Sequence, residues 1–146
     1  DRRADMKQEP FIRVAEVMTR DVHTVDSMAT VRQAMEKMAD ERVSSLVVER
    51  RDERDEYGMI VVTDIAREVV ARNRSFDRVQ VYEVMSKPVV TVDPETDLRY
   101  AIRLLVRFGL SRALVMGADR RMQGVVTLRD MVLRYARSHD STESDI

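Results

Sequence analysis

The sequence predicts an α/β (α+β) fold made of two pseudo-symmetric β-α-β-β-α repeats packed sheet to sheet. Three observations carry that prediction. Residues 13–48 align with residues 80–115 at a constant offset of 67, without a gap. Along that register Val14, Glu16, Val17, Met18, Val22, Thr24, Val25, Asp26, Arg32, Ala34, Ser44 and Val48 recur as Val81, Glu83, Val84, Met85, Val89, Thr91, Val92, Asp93, Arg99, Ala101, Ser111 and Val115. The offset then falls to 66, pairing Gly58 with Gly124 and Asp64 with Asp130, so the second hairpin is one residue shorter. Finally, strand-like runs and helical stripes follow one another in the same order in both copies. A repeat of this length buries its apolar face against its neighbour. Two copies suggest a closed pseudo-two-fold pair, with equivalent clefts at the junction, rather than an open solenoid.

In the first copy, Phe11 to Met18 is a short amphipathic leading segment, and Val22-His23-Thr24-Val25 reads as a strand. Thr30 and Gln33 form a capping-box pattern. Behind them Val31, Ala34, Met35, Met38 and Ala39 keep the spacing of an amphipathic helix. Ser45 to Val48 is a buried-type strand, and Glu49 to Tyr57 is a charged hairpin loop, most simply a solvated one. Gly58 to Val62 returns as a strand, and Thr63 to Arg72 continues as a helix.

In the second copy Asp97 caps a helix striped by Leu98, Ala101, Ile102, Leu105 and Val106. Gly109 sits where a helix takes a left-handed terminator. Ala113 to Met116 and Val125 to Leu128 are strands, and Asp130 to Tyr135 opens the last helix. The expected boundaries are a polar tail at 1–10, repeats at 11–77 and 78–137 (with a linker from Asn73 to Asp77), and a disordered acidic tail at 138–146.

Composition narrows the function. A chain of 146 residues is one domain's worth of sequence, so the two repeats share one module. Its 25 basic and 26 acidic residues are intermixed, which argues against a nucleic-acid surface or an anionic-membrane binder. The apolar runs are too short to span a bilayer. With no cysteine there is neither a disulfide frame nor a thiolate zinc site, which fits a reducing cytoplasm. The chain opens on Asp1 rather than Met, and so reads as trimmed or as cut from something longer.

No catalytic constellation is present. His23 and His139 are the only histidines, one at a strand and one in the tail, and neither has a partner at motif spacing. The carboxylates lack metal-ligand spacing, so no metal is expected, and the four glycines form no phosphate loop. Ten methionines read as core filling, since Met35 and Met38 lie on the helix stripe.

One segment has ligand-binding logic: Gly124-Val125-Val126-Thr127-Leu128-Arg129-Asp130. A strand there delivers the chain to a helix N-terminus, where backbone N–H groups favour an anion. Thr127 and Arg129 can hold a phosphate, and the Asp130 carboxylate can accept both hydroxyls of a ribose. The same Thr-x-x-Asp pattern is also a helix cap with an acidic residue in the first turn, and read alone it favours the cap.

The repeat changes that weighing. Val17-Met18-Thr19 with Val22 to Val25, Val84-Met85-Ser86 with Val89 to Val92, the strands at Val43 to Val48 and Leu110 to Val115, and the closing segments Gly58 to Asp64 and Gly124 to Asp130 resemble the cystathionine-β-synthase (CBS) domain family. The resemblance is to its tandem form, the Bateman module, and covers roughly residues 11–136. It implies a non-catalytic regulatory module that binds an adenosine-containing ligand (AMP, ADP, ATP, NAD or S-adenosylmethionine) in clefts between repeats. It also implies a flat homodimer.

Carried over residue by residue, the first site comprises Val22, Thr24, Val43, Ser44, Ser45, Thr127, Arg129 and Asp130. Asp130 takes the ribose, Thr127 and Arg129 the phosphate, and the Val22–Thr24 strand the adenine. The mirror site comprises Thr63, Asp64, Val89, Thr91, Leu110, Ser111 and Arg112. Val61 stands there where the family has Thr or Ser, and a valine cannot donate to a phosphate, so this second site is expected to be the weaker. Arg112 and Arg129 favour a phosphate-bearing ligand over S-adenosylmethionine. Two other expectations stay open beside this one: a structural or protein-interaction module without nucleotide, and the regulatory fragment of a larger enzyme or transporter.

Overall fold

Each copy builds a three-stranded sheet from one short parallel strand and a hairpin. The structure, a computed structural model, describes residues 11–87 and 89–143. The expected tail at 1–10 and the end of the acidic tail at 144–146 lie outside the described residues, as does the side chain of His139.

In the unit Val22–Val89, β1 (Thr24–Val25) runs parallel to β2 (Ser45–Val48), which pairs antiparallel with β3 (Gly58–Val61). Helix α1 (Val31–Glu41) opens on the expected capping box. The Gln33 N–H donates to Thr30 Oγ1 at 3.1 Å, and the Thr30 N–H donates to Gln33 Oε1 at 2.9 Å. Val31, Ala34 and Met38 are buried whereas Met35 and Ala39 are exposed, so the core stripe is narrower than the periodicity predicts. The helix ends on Arg42 at φ 58°, the position that Gly109 fills in the other copy at φ 64°. A side chain in that left-handed conformation costs roughly 1–2 kcal/mol, which glycine avoids.

The closing helix of this copy differs from the expected plain helix over Thr63 to Arg72. Helix α2 (Val62–Ile65) runs directly into a π-helical turn, Ala66–Val70. Its bonds reach five residues back, from the Ala71 N–H to the Ala66 carbonyl and from the Arg74 N–H to the Val69 carbonyl, both at 2.9 Å. The wider turn leaves both Ile65 and Val69 in the core, and Asn73 at φ 58° ends it.

The other unit takes residues 11–21 together with residues 90–143. There β4 (Thr91–Val92), β5 (Arg112–Met116) and β6 (Met122–Thr127) repeat the same order and directions, with an irregularity between Val115 and Met116. Helix α3 (Leu98–Phe108) buries Leu98, Ala101 and Leu105 but leaves Val106 exposed. The Asp97 side chain accepts from the Arg99 N–H at its start. Helix α4 (Leu128–Glu143) begins two residues before Asp130 and continues past 138, where composition predicts a tail.

The compact units are therefore not the sequence repeats. The 3-10 turn Val14–Glu16 belongs with the second copy's sheet, where Ile12 and Val14 are buried among Val92, Leu98, Leu105 and Met131. Its counterpart Val81–Glu83 belongs with the first copy's sheet, where Val79, Val81 and Val84 pack with Val25, Val31, Ile60 and Val69. Backbone bonds fasten each exchange. Thr19 and Val125 trade N–H···O bonds of 2.8 and 3.0 Å, and Ser86 and Met59 trade bonds of 2.8 and 3.0 Å.

The charged loop from Glu49 to Tyr57 is held rather than simply solvated. Its Asp55 side chain is only 9% exposed and meets the Lys87 ammonium at 2.5 Å and the Arg51 N–H at 3.0 Å. The Lys87 ammonium, and then the Arg51 N–H, hold this carboxyl well below the usual carboxylate range. The Arg50 guanidinium lies over the Tyr57 ring, 4.6 Å from its centre.

Candidate functional site

The hairpin register places the entrance of the buried strand beside the exit of the closing strand. In the Val22–Val89 unit Ser45 pairs with Val61, and the Val62 N–H donates to the Ser44 carbonyl at 3.0 Å. Val43, Ser44 and Ser45 thus sit next to Thr63 and Asp64. In the other unit Arg112 pairs with Thr127, and the Leu128 N–H donates to the Ser111 carbonyl at 2.8 Å. Leu110, Ser111 and Arg112 thus adjoin Thr127, Arg129 and Asp130.

The residues expected for each site are divided between units. Val22, Thr24, Val43, Ser44 and Ser45 lie in one, and Thr127, Arg129 and Asp130 in the other. Of the mirror set, Thr63, Asp64 and Val89 lie in the first, and Thr91, Leu110, Ser111 and Arg112 in the second. Thr24 is already engaged: its hydroxyl donates to Glu49 Oε1 at 2.8 Å, and its carbonyl accepts from the Lys37 ammonium. His23 Nδ1 lies 3.5 Å from Glu41, so the strand histidine has a surface carboxylate beside it.

The two Thr/Val-x-x-Asp turns complement each other. Thr127 Oγ1 accepts from the Asp130 N–H at 3.1 Å, so the hydroxyl does cap α4. Val61 has no hydroxyl, and there the carboxylate supplies the other half of the box, with the Val61 N–H donating to Asp64 Oδ2 at 3.3 Å. The carboxylates differ accordingly. Asp130 is 44% exposed, with Arg129 Nη1 at 3.5 Å, whereas Asp64 is 11% exposed, with Arg67 Nη2 at 2.7 Å. Arg112 is half-buried, and desolvation lowers its guanidinium pKa; its Nε lies 3.5 Å from Ser111 Oγ.

Asp130 opens onto a cleft of about 480 Å³, lined also by Glu16, Val17, Leu133, Arg134 and Arg137. That volume falls within the usual range of small-molecule sites. The strand-helix motif does not reveal these companions. Helical spacing reveals three of them, since positions 133, 134 and 137 stand three, four and seven residues after Asp130 on one face, whereas Glu16 and Val17 are brought there by the exchanged leading segment. Among the described residues, no group of three or more His, Asp or Glu side chains is placed to hold a metal ion. No helix among them is long and apolar enough to cross a membrane.

Two β-α-β-β-α units with matched strand-to-helix turns define a paired-repeat module. The chain belongs to the CBS domain family, whose description matches residues 14–71 and again 81–137. An uncharacterized protein of Methanopyrus kandleri is 30% identical over 122 residues, covering 83% of this chain. The chain spans only 61% of that relative's length. The hexameric CBS-CP12 protein of bloom-forming cyanobacteria superimposes with a TM-score of 0.80 at 34% identity, over 84% of this chain and 67% of that one. A CBS domain protein of Pyrobaculum aerophilum, complexed with AMP, gives a TM-score of 0.74 at 22% identity, over 86% of this chain and 99% of that one, a likeness of fold alone.

Proposed function

We propose that this CBS pair is a regulatory module that binds an adenosine-containing nucleotide (AMP, ADP or ATP, with NAD as the larger alternative) and passes its ligand state to a partner protein. The observation that carries this reading is the Asp130 carboxylate, part-exposed at an open cleft directly after the hydroxyl-capped start of α4. A carboxylate so placed accepts the two hydroxyls of a ribose, and the first turn of a 16-residue helix favours a phosphate near Thr127 and Arg129. Val22, Thr24, Val43, Ser44 and Ser45 complete this site in the reading, and Thr63, Asp64, Val89, Thr91, Leu110, Ser111 and Arg112 form the weaker one. The AMP complex of the Pyrobaculum protein is consistent with the ligand class.

Regulation requires that the ligand bind one state of the module better than another. The module acts as a homodimer in the cytoplasm, either alone or within a longer regulated protein. The exposed Tyr100, Val106 and Phe108 of α3 supply apolar surface for association. That surface also favours the second reading, a structural or protein-interaction module without nucleotide.

Thermal unfolding against AMP, ADP, ATP, NAD and S-adenosylmethionine separates the two. A ligand of the folded state stabilises by about 2.7 kcal/mol at a hundredfold excess over its Kd. The expected result is a clear upward shift with one adenosyl ligand, lost in Asp130→Ala. No shift with any of the five overturns the nucleotide reading and leaves the interaction module. A sedimentation mass of one chain at micromolar concentration overturns the dimer.

A further inference from the structure

We infer that Arg67 is a built-in occupant of the Asp64 carboxylate, so that the chain takes up one nucleotide per polypeptide, at Asp130. This rests on the nucleotide reading above and assigns its stoichiometry and the residue that sets it.

The argument comes from comparing the two copies position by position. At the offset of 66, Asp64 corresponds to Asp130, Arg67 to Leu133, Glu68 to Arg134 and Arg72 to Ser138. In the second copy the residue one turn after the aspartate is apolar, and Leu133 lines the open cleft beside Asp130. In the first copy that residue is an arginine whose Nη2 sits 2.7 Å from Asp64 Oδ1.

An exposed arginine-carboxylate pair by itself is easily displaced. Three features make this one different. The other carboxylate oxygen, Asp64 Oδ2, accepts from the Val61 N–H, so each oxygen has a protein donor. The Asp64 side chain is 11% exposed, against 44% for Asp130. And Arg67 is itself anchored, with Nε 3.3 Å from Glu68 Oε1, while Glu68 Oε2 accepts from Arg72 at 3.0 Å. Those two arginines hold the Glu68 carboxyl below its ordinary range, Arg72 contributing most.

In the second copy Asp130 has Arg129 Nη1 at the longer distance of 3.5 Å, and Arg134 donates to Ser138 Oγ at 2.6 Å, along its own helix. Asp64 therefore has its hydrogen-bonding capacity directed at its own helix, whereas Asp130 presents a carboxylate to a cleft. A nucleotide at Asp64 would have to displace the guanidinium to seat its ribose and would find no hydroxyl at Val61 for its phosphate.

The test transplants the device in both directions, with calorimetric titrations using AMP, ADP and ATP. Leu133 is 47% exposed, so Leu133→Arg places a guanidinium beside Asp130 without disturbing the core. The wild-type chain is expected to bind one equivalent, and Leu133→Arg to bind at least tenfold more weakly. The paired variant Val61→Thr with Arg67→Leu, which gives the first copy the second copy's residues, is expected to bind two equivalents. Adding Asp64→Ala to that pair is expected to return it to one. Two equivalents in the wild type, unchanged affinity in Leu133→Arg, or a single equivalent in a folded paired variant overturns the role of Arg67 while leaving nucleotide binding intact. No binding of these three nucleotides, nor of NAD titrated alongside them, by the wild type overturns the underlying reading.

Discussion

Gly124 lies so close to Thr19 that a Cβ built on it would stand 2.6 Å from the Thr19 carbonyl oxygen. The same carbonyl accepts the Val125 N–H in the exchange that ties the leading segment to the second sheet. Its repeat partner, Gly58, is crowded differently. There the nearest atom is Met85 Sδ at 2.9 Å, with the Ser86 carbonyl oxygen at 3.2 Å. A thioether end can swing aside; a bridged carbonyl cannot.

Gly124→Ala is therefore expected to destabilise the fold by about 1–3 kcal/mol through overpacking. Gly58→Ala is expected to cost less, because Met85 yields and the unfolded chain loses entropy. Urea unfolding of the two variants side by side checks the order, and an equal or reversed order would show that the bridge at Thr19 moves freely.

The cap at Thr127 gives a second expectation. Thr127→Val removes the acceptor of the Asp130 N–H and is expected to lower stability by about 0.5–2 kcal/mol. Val61→Thr adds the missing acceptor to the first copy and is expected to raise stability. Opposite signs in denaturant melts are the signature; the same sign for both would contradict the capping role.

Asp55 and Lys87 define the acid response. The folded carboxyl titrates below its unfolded value of about 3.9, so the pair stabilises the fold above that pH. Its contribution fades as pH falls below about 4 toward the folded value. Wild type is accordingly expected to exceed Asp55→Asn in stability at pH 5, with the gap closing on acidification. A gap that stays constant between pH 5 and pH 2.5 counts against the pairing.

The two aspartates separate binding from stability. Asp130→Ala is expected to lose most of the nucleotide affinity with little change in melting temperature. Asp64→Ala is expected to leave affinity almost unchanged, because Arg67 already occupies that carboxylate, yet to melt earlier, by about 1 kcal/mol, since the Val61 N–H loses its acceptor. Calorimetry and thermal melts of both variants decide this, and equal affinity losses would refute the ranking.

Much of this architecture is legible before any coordinates. The shift from an offset of 67 to 66 locates the shorter hairpin, Thr30 and Gln33 announce their capping box, and Gly109 marks a left-handed helix end. Arg42 performs the same turn with no compositional signal, because its helix pays the strain with packing elsewhere. The exchange of leading segments is illegible for a deeper reason. Met18 and Met85 are repeat equivalents, as are Gly58 and Gly124, so either segment matches either sheet by pattern. Nothing in hydrophobic periodicity distinguishes the two pairings. At the candidate site, the Thr-x-x-Asp motif identifies Asp130 but not the partners of its aspartates. The 2.7 Å contact of Arg67 and the clasp of Asp55 by Lys87 depend on side-chain placement, and from sequence both look like solvated charge.

The exchanged segments also bear on how the chain can be divided. With Ile12 and Val14 lodged in one hydrophobic wall and Val79 and Val81 in the other, a single copy excised at its sequence boundaries would carry a plug for its sibling and leave its own socket empty. A half cut at its repeat boundaries is therefore an unfinished core; the divisions that leave each core whole fall after Asp21 and after Val89.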